Sequence, residues 1–342
     1  MSLATAVSSH WPLPTARWEW PGHSTLRRVM LALRTMLRER IQSLRKVRAQ
    51  ITSTEAKLDR IHQSLGRIEV QLQELRGIRD PAEREFGITS QWGEDGIIQS
   101  IVRQVSIGQR RFVEFGVENY SEANTRFLLC NDNWSGLVMD GSQENIEAIK
   151  RDPLYWRYDL SARQAFVTKE NIDELLVSTG FSEQIDLLSI DIDGNDYWVW
   201  NSMTVASPRI VIVEYNSIFG PTKRCTIPYR PDFRRNEAHH SNLYYGASVA
   251  AFEHLGRERG YRLVCGNKAG NNLFFVREDL AEDLPRRTAE EAWVQSRFRE
   301  ARDTSGAATY RRAEDSRSQI EHLAVLDLSI GRSVPLSTVL AG

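Results

Sequence analysis

The sequence predicts an α/β protein: a Rossmann-like, doubly wound and mostly parallel sheet with an antiparallel edge, preceded by a long α-helical coiled coil. Three observations carry that expectation. From Leu26 to Leu75 the apolar residues keep a 3,4 spacing that no proline interrupts before Pro81. Beyond Pro81, short apolar runs alternate with helical segments, the pattern of strand–helix–strand units. Four of those runs end in acids: Arg111-Phe-Val-Glu114, Gly136-Leu-Val-Met-Asp140, Ile185-Asp-Leu-Leu-Ser-Ile-Asp191 and Arg209-Ile-Val-Ile-Val-Glu214. Ligands of open α/β sheets bind at the carboxyl edge, so acids delivered there by four strands mark a site.

The first element is the heptad run. Core positions a hold Met30, Leu37, Leu44, Ile51, Leu58, Leu65 and Leu72. Positions d hold Leu26, Leu33, Arg40, Val47, Thr54, Ile61, Ile68 and Leu75. Only Arg40 and Thr54 break the apolar seam, and they would fix its register at some cost in stability. Such a helix reaches roughly 75 Å. It cannot bury that stripe alone, which implies self-association as a homo-oligomer through the coiled coil or a partner helix, the bland alternative being a helix folded back on the next domain.

After Asp80-Pro81 the pattern predicts helices at Gly96 to Val105, Asn124 to Leu129, Glu144 to Lys150, Asn171 to Ser178 and Gly246 to Arg259. Strands are expected at Phe112 to Phe115, Leu137 to Met139, Tyr155 to Tyr158, Ile185 to Asp191 and Ile210 to Glu214. Tyr261 to Cys265 and Asn272 to Val276, joined through Gly266-Asn-Lys-Ala-Gly270, read as a hairpin at the antiparallel edge. The expected organisation is therefore an arm at 1–24, a coiled coil at 25–79, a catalytic domain at 80–285 and a peripheral C-terminal segment at 286–342.

Bulk properties bound the function. At 342 residues, 41% apolar and with a net charge of -1, the chain shows no global pull toward nucleic acid. Between Thr25 and Gln50, however, eight Lys or Arg residues face one acid, Glu39. A basic helix face with Trp11, Trp18 and Trp20 upstream suits peripheral contact with an anionic membrane surface, although a solvated face is the commoner fate of such charge. No apolar run approaches the roughly 20 residues of a membrane-spanning helix, and the first residues lack a secretory apolar region. A cytoplasmic location is the expectation. Cys130, Cys225 and Cys265 match no zinc or redox spacing and read as thiols of a reducing compartment.

The strand ending in Glu114 is followed by Phe115-Gly116-Val-Glu118, a turn with one glycine leading to polar residues and a helix. Glycine there lets a ligand approach the backbone, and a helix amino end offers N–H donors. Asp140 ends the next strand, where an acid accepts both hydroxyls of a bound ribose. Together they describe a nucleoside site.

Ser90-Gln-Trp-Gly-Glu-Asp-Gly-Ile97, Phe112-Val-Glu-Phe-Gly116, Asp186-Leu-Leu-Ser-Ile-Asp-Ile-Asp-Gly194 and Val213-Glu-Tyr-Asn216 resemble, in order and spacing, the FkbM-type methyltransferases. That resemblance covers roughly residues 88–278. It implies a class I fold, S-adenosylmethionine (AdoMet) as cofactor, and O-methylation of a carbohydrate acceptor. It also implies an AdoMet site at Glu114, Gly116 and Asp140, with Gln91 and Glu94 contributing. A sugar hydroxyl is a poor nucleophile at neutral pH, so the reaction needs a base, a metal, or both. Asp191 and Glu214 are the metal candidates, joined by Asp193, with Mg²⁺ or another divalent cation implied by similarity to macrocin-type sugar O-methyltransferases. His240, or else His239, is the expected base, with Asp193 also a catalytic candidate. Against these stand plain structural roles: a turn closed by Asp and Asn side chains at 193–196, and solvated loop histidines. Two other classes compete. One is a non-catalytic coiled-coil scaffold with a vestigial Rossmann-like domain. The other is a nicotinamide-dependent dehydrogenase, disfavoured because the first turn is too poor in glycine for a pyrophosphate.

Overall fold

A computed structural model describes residues 23–341, so all but the last two residues of the expected arm lie outside the described residues. The chain divides into two compact units, one ending at Arg60 and one beginning at Ile61. The described part of the first unit is helical throughout and belongs to helix α1 (His23–Leu75). Its a and d residues Leu26, Met30, Leu33, Leu37, Leu44, Val47, Ile51 and Leu58 are all exposed. Among the described residues no helix is long and apolar enough to cross a membrane.

The second unit is built on a seven-stranded sheet. In chain order its strands are β1 (Arg111–Phe115), β2 (Ser135–Asp140), β3 (Leu160–Gln164), β4 (Leu187–Ile190) and β5 (Ile210–Glu214). A two-residue strand, β6 (Cys225–Thr226), lies outside it, and β7 (Tyr261–Gly266) and β8 (Asn272–Arg277) complete it. The spatial order is β3-β2-β1-β4-β5-β8-β7, and β8 runs antiparallel to both neighbours while the first five strands are parallel. The chain winds outward from β1 to β3 and then crosses back to β4. The carboxyl ends of β1 and β4 therefore flank a topological switch point, where such sheets bind ligands.

Strand composition explains the layering. Val113, Phe115, Val211 and Val213 face one buried cluster with Trp200 and Phe252, while Phe112, Ile210 and Ile212 face a second with Ile97 and Phe274. Period-two alternation with both faces apolar is what a sheet covered by helices on both sides requires. The covering helices include α2 (Glu94–Gln104), α3 (Arg126–Asp132), α4 (Gln143–Arg151), α5 (Pro153–Arg157), α6 (Ile172–Ser178) and α7 (Asp196–Ser202). A one-turn helix α8 (Arg235–Ala238) and the longer α9 (Val249–Glu258) follow β6.

One strand is corrected. Tyr155 to Tyr158, expected as extended, is the end of α5 and its cap, and the third strand begins at Leu160. Asp152 caps that helix by accepting from the Leu154 N–H at 2.8 Å, and Pro153 occupies its first turn. Both are ordinary helix-start signals that the aromatic run obscured. Helix α7 was not anticipated.

The segment 286–342 adds β9 (Ala324–Asp327) and β10 (Arg332–Pro335), which with β6 form a three-stranded antiparallel sheet. Ile320, Val325, Leu336 and Val339 complete a third buried cluster with Phe219, Ile227, Phe233 and Tyr245.

Candidate functional site

A cavity of about 870 Å³ opens at the carboxyl edge of the sheet. Each acid predicted from the strand ends lies on its wall, as do Gln91, Glu94 and Gly116.

The loop before α2 is shaped by two acids. Asp95 accepts N–H bonds from Ile88 (2.7 Å), Thr89 (2.6 Å) and Ser90 (2.9 Å), binding the loop to the helix that follows. Glu94 accepts from the Trp92 N–H at 2.9 Å, and from the side-chain amides of Asn267 and Asn272 at 2.8 and 3.0 Å. Glu94 thus ties this loop to the β7–β8 connection. Gln91 and Trp92 are held against the cavity in consequence, and Trp92 stacks on Phe298 with ring centroids 5.7 Å apart.

At the end of β1, Glu114 accepts the Asn124 N–H (2.9 Å), the Thr125 N–H (3.1 Å) and the Thr125 hydroxyl (2.5 Å). Burial pushes its carboxyl up to about 7 against those hydrogen bonds. Gly116 takes φ +74°, and a Cβ there would sit 1.6 Å from the Asp191 carbonyl oxygen. The glycine is therefore demanded by the close crossing of the β1 and β4 ends, a packing reason that the sequence reading, which invoked ligand approach, did not supply. One oxygen of Asp140 accepts the Glu118 N–H at 2.8 Å; the other accepts the Ser142 N–H at 2.8 Å and the Asn145 amide at 3.0 Å. These bonds fix the carboxylate facing the cavity at the end of β2.

Asp191, Asp193 and Glu214 each offer an oxygen such that all three lie within 4.8 Å of one another. Asp193 sits at φ +56° in the turn after β4. That turn is closed by Asp196, which accepts the Ile192 and Gly194 N–H groups at 2.9 Å each. Asp196 is thus the structural member of the group. Burial raises Asp191 and Glu214 well above the carboxylate range, and the neighbouring acids add to it. One Glu214 oxygen is buried with no hydrogen-bond partner among the described residues.

Arg235, at the start of α8, is the cation of this group. It donates to Asp193 at 2.8 Å and to the Asn242 carbonyl at 2.6 Å, pairs with Glu300 at 2.5 Å, and stacks 3.7 Å above the Tyr245 ring. Burial works against its charge, but Tyr245, Glu214, Glu300 and Asp193 together hold its pKa above the ordinary arginine value. Glu300 and Phe298 come from the C-terminal segment, and no motif in the sequence pointed to them. Arg235 was visible only as one of several loop arginines.

The two histidines are placed elsewhere. Neither His239 nor His240 lines the cavity. Their rings lie 4.1 Å apart, His239 is 6.2 Å from His322, and His239 Nδ1 is 2.7 Å from the Ser241 hydroxyl. The turn of α8 brings Arg235 and Asn236 to the cavity wall, while His239 and His240 beyond it are not on that wall. The cavity wall thus gives no support to the base expected at His240 or His239.

No family model matches the chain, and no curated protein matches it. Its structural neighbours are AdoMet-dependent methyltransferases, among them carbon and O-methyltransferases. The DszA carbon methyltransferase shares 14% identity over 54% of this chain and 53% of its own, with a TM-score of 0.35. The O-methyltransferase from Bacillus cereus in complex with SAH shares 13% over 49% and 74%, at 0.32. PKMT2 from Rickettsia typhi in complex with AdoHcy shares 11% over 54% and 52%, at 0.37. The chain spans about half the length of the first of these.

Proposed function

We propose that this chain is an AdoMet-dependent O-methyltransferase that acts on a sugar hydroxyl of a glycan or glycoconjugate. The observation that carries the reading is one cavity at the switch point, uniting Asp140 at the end of β2 with the carboxylates of Asp191, Asp193 and Glu214. An acid at the β2 end suits a ribose, and a polar cavity beyond it suits a hydroxylated acceptor. Asn236, Asn242 and Asn271 beside Trp92, Phe166 and Phe298 give the mixed amide and aromatic lining that a pyranose ring fits.

In the transfer the acceptor oxygen forms a bond to the sulfonium methyl carbon as the carbon–sulfur bond breaks. The electron pair passes to sulfur, leaving the neutral thioether of S-adenosylhomocysteine. The hydroxyl proton must leave, and with the histidines outside the cavity, the carboxylates carry that duty. Asp193, fixed by Arg235 and reaching the cavity, is the base in this scheme.

The three carboxylates also fit a hard divalent cation such as Mg²⁺. Their donors are all oxygens, they converge, and one Glu214 oxygen lacks a partner. A bound cation would lower the pKa of an acceptor hydroxyl. Methyl transfer from labelled AdoMet to glycan acceptors, with and without chelation, tests the two parts separately. Transfer lost on chelation and restored by Mg²⁺ supports the metal, and full transfer after chelation removes it. No transfer to any hydroxylated acceptor would return the chain to the scaffold alternative.

A further inference from the structure

Between Ile61 and Leu75, helix α1 packs on the second unit by one face only. Gly66, where a Cβ would meet the Phe127 ring at 2.6 Å, is buried there along with Val70 and Gln73. Gln73 donates to the Arg84 carbonyl at 3.1 Å. These are heptad positions b and f. The a and d residues on the same stretch, Ile61, Leu65, Ile68, Leu72 and Leu75, are 41–84% exposed. The second unit therefore holds its own stretch of the helix by the back and leaves the heptad positions of that stretch exposed, and the a and d residues of the first unit are exposed as well.

An apolar stripe at period 3.5 is complementary to another helix of the same period. We infer that its occupant is a second copy of this chain, paired antiparallel. Charge distribution decides the direction. The basic residues crowd the first half of the seam, with eight Lys or Arg against one acid between Thr25 and Gln50, whereas the second half is nearly balanced, with Glu55, Asp59, Glu69 and Glu74 against Lys57, Arg60 and Arg67. Parallel pairing stacks the two basic halves and sets Arg40, a core position, against its own copy. Antiparallel pairing in the register that overlaps Met30 to Leu75 completely puts Arg40 opposite the partner's Leu65, over which its stem can lie with its charge in water. The same register sets Arg34 opposite the partner's Glu69, and Arg48 opposite the partner's Glu55, both at flanking e positions. The near-balanced charge of the second half also argues against an anionic membrane as the occupant of the whole seam, because only the first half carries a strong basic excess.

The test uses the full chain carrying Leu37→Cys or Ile68→Cys, which face each other only in the antiparallel register. Co-expressed and mildly oxidised, the two variants should give a covalent heterodimer, while each alone, like the wild type, should not. Efficient cross-linking of Leu37→Cys alone would show a parallel pair and overturn the inference. Light scattering of the wild type at micromolar concentration should give twice the chain mass. A single-chain mass would overturn it too, and sedimentation of that single chain with phosphatidylserine vesicles would assign the seam to lipid. Glu55→Arg should weaken dimerisation about tenfold, and adding Arg48→Glu should restore it. No change in either variant would contradict the register.

Discussion

At φ +74°, with the Asp191 carbonyl 1.6 Å from where a Cβ would sit, Gly116 has no room for even a methyl group. Gly116→Ala must push the β1 and β4 ends apart at the floor of the cavity. A loss of about 3 kcal/mol in unfolding free energy is expected by urea titration; a loss within experimental error would mean the crossing is looser than described. Glu114 offers a second test. Its folded pKa of about 7 exceeds the ordinary 4.5, so the folded chain binds that proton more tightly. Its contribution to stability is therefore fully present below pH 4.5 and is lost as pH rises through 7, on the order of 3 kcal/mol in all. Asp196, raised to about 6 by burial, acts in the same direction. Glu114→Gln should flatten the fall in stability between pH 5 and 8, whatever its absolute cost; an unchanged slope would contradict the assignment. Residues at strand ends were legible in the sequence because position alone aims them at the edge, which is why Asp140, Asp191 and Glu214 reach one cavity. Arg235 and Glu300 were not. They sit in loops and irregular chain, and only tertiary contacts decide where such residues point.

At the scale of elements, periodicity was a sound guide wherever a run was long or doubly buried. The six runs expected as strands at β1, β2, β4, β5 and in the β7–β8 hairpin are strands, because alternating β-branched and aromatic residues serve both faces of a covered sheet. The third strand, beginning at Leu160, was missed because Ser161 and Arg163 face solvent at the sheet's edge, leaving little apolar signal. The C-terminal segment shows the same failure on a larger scale. Its charged composition hides four apolar side chains, Ile320, Val325, Leu336 and Val339, that complete the third cluster. Burial of each stabilises by about 2 kcal/mol, so together they contribute roughly as much as the net stability of a typical domain. A chain ending at Arg311 should be insoluble or should lose its cooperative thermal transition. A soluble truncation with an unchanged melting temperature would show that the third cluster is dispensable.

In the whole molecule, the proposed function places AdoMet at the edge of the sheet, with Asp140 as the anchor of its ribose. The fold class and the convergence of these acids on one cavity were both readable from residue order, whereas the proposed place of the cofactor rests on how the Glu118 and Ser142 N–H groups orient the Asp140 carboxylate. A folded protein with an empty edge would satisfy every packing argument above, so binding must be measured directly. Calorimetric titration of the full chain with AdoMet and with NAD, repeated on Asp140→Ala after its melting curve confirms folding, is the most direct test. The account predicts AdoMet binding by the wild type, a loss of at least tenfold in affinity in the variant, and no binding of NAD. Absence of AdoMet binding with and without Mg²⁺, or equal affinity in a folded Asp140→Ala, would contradict it.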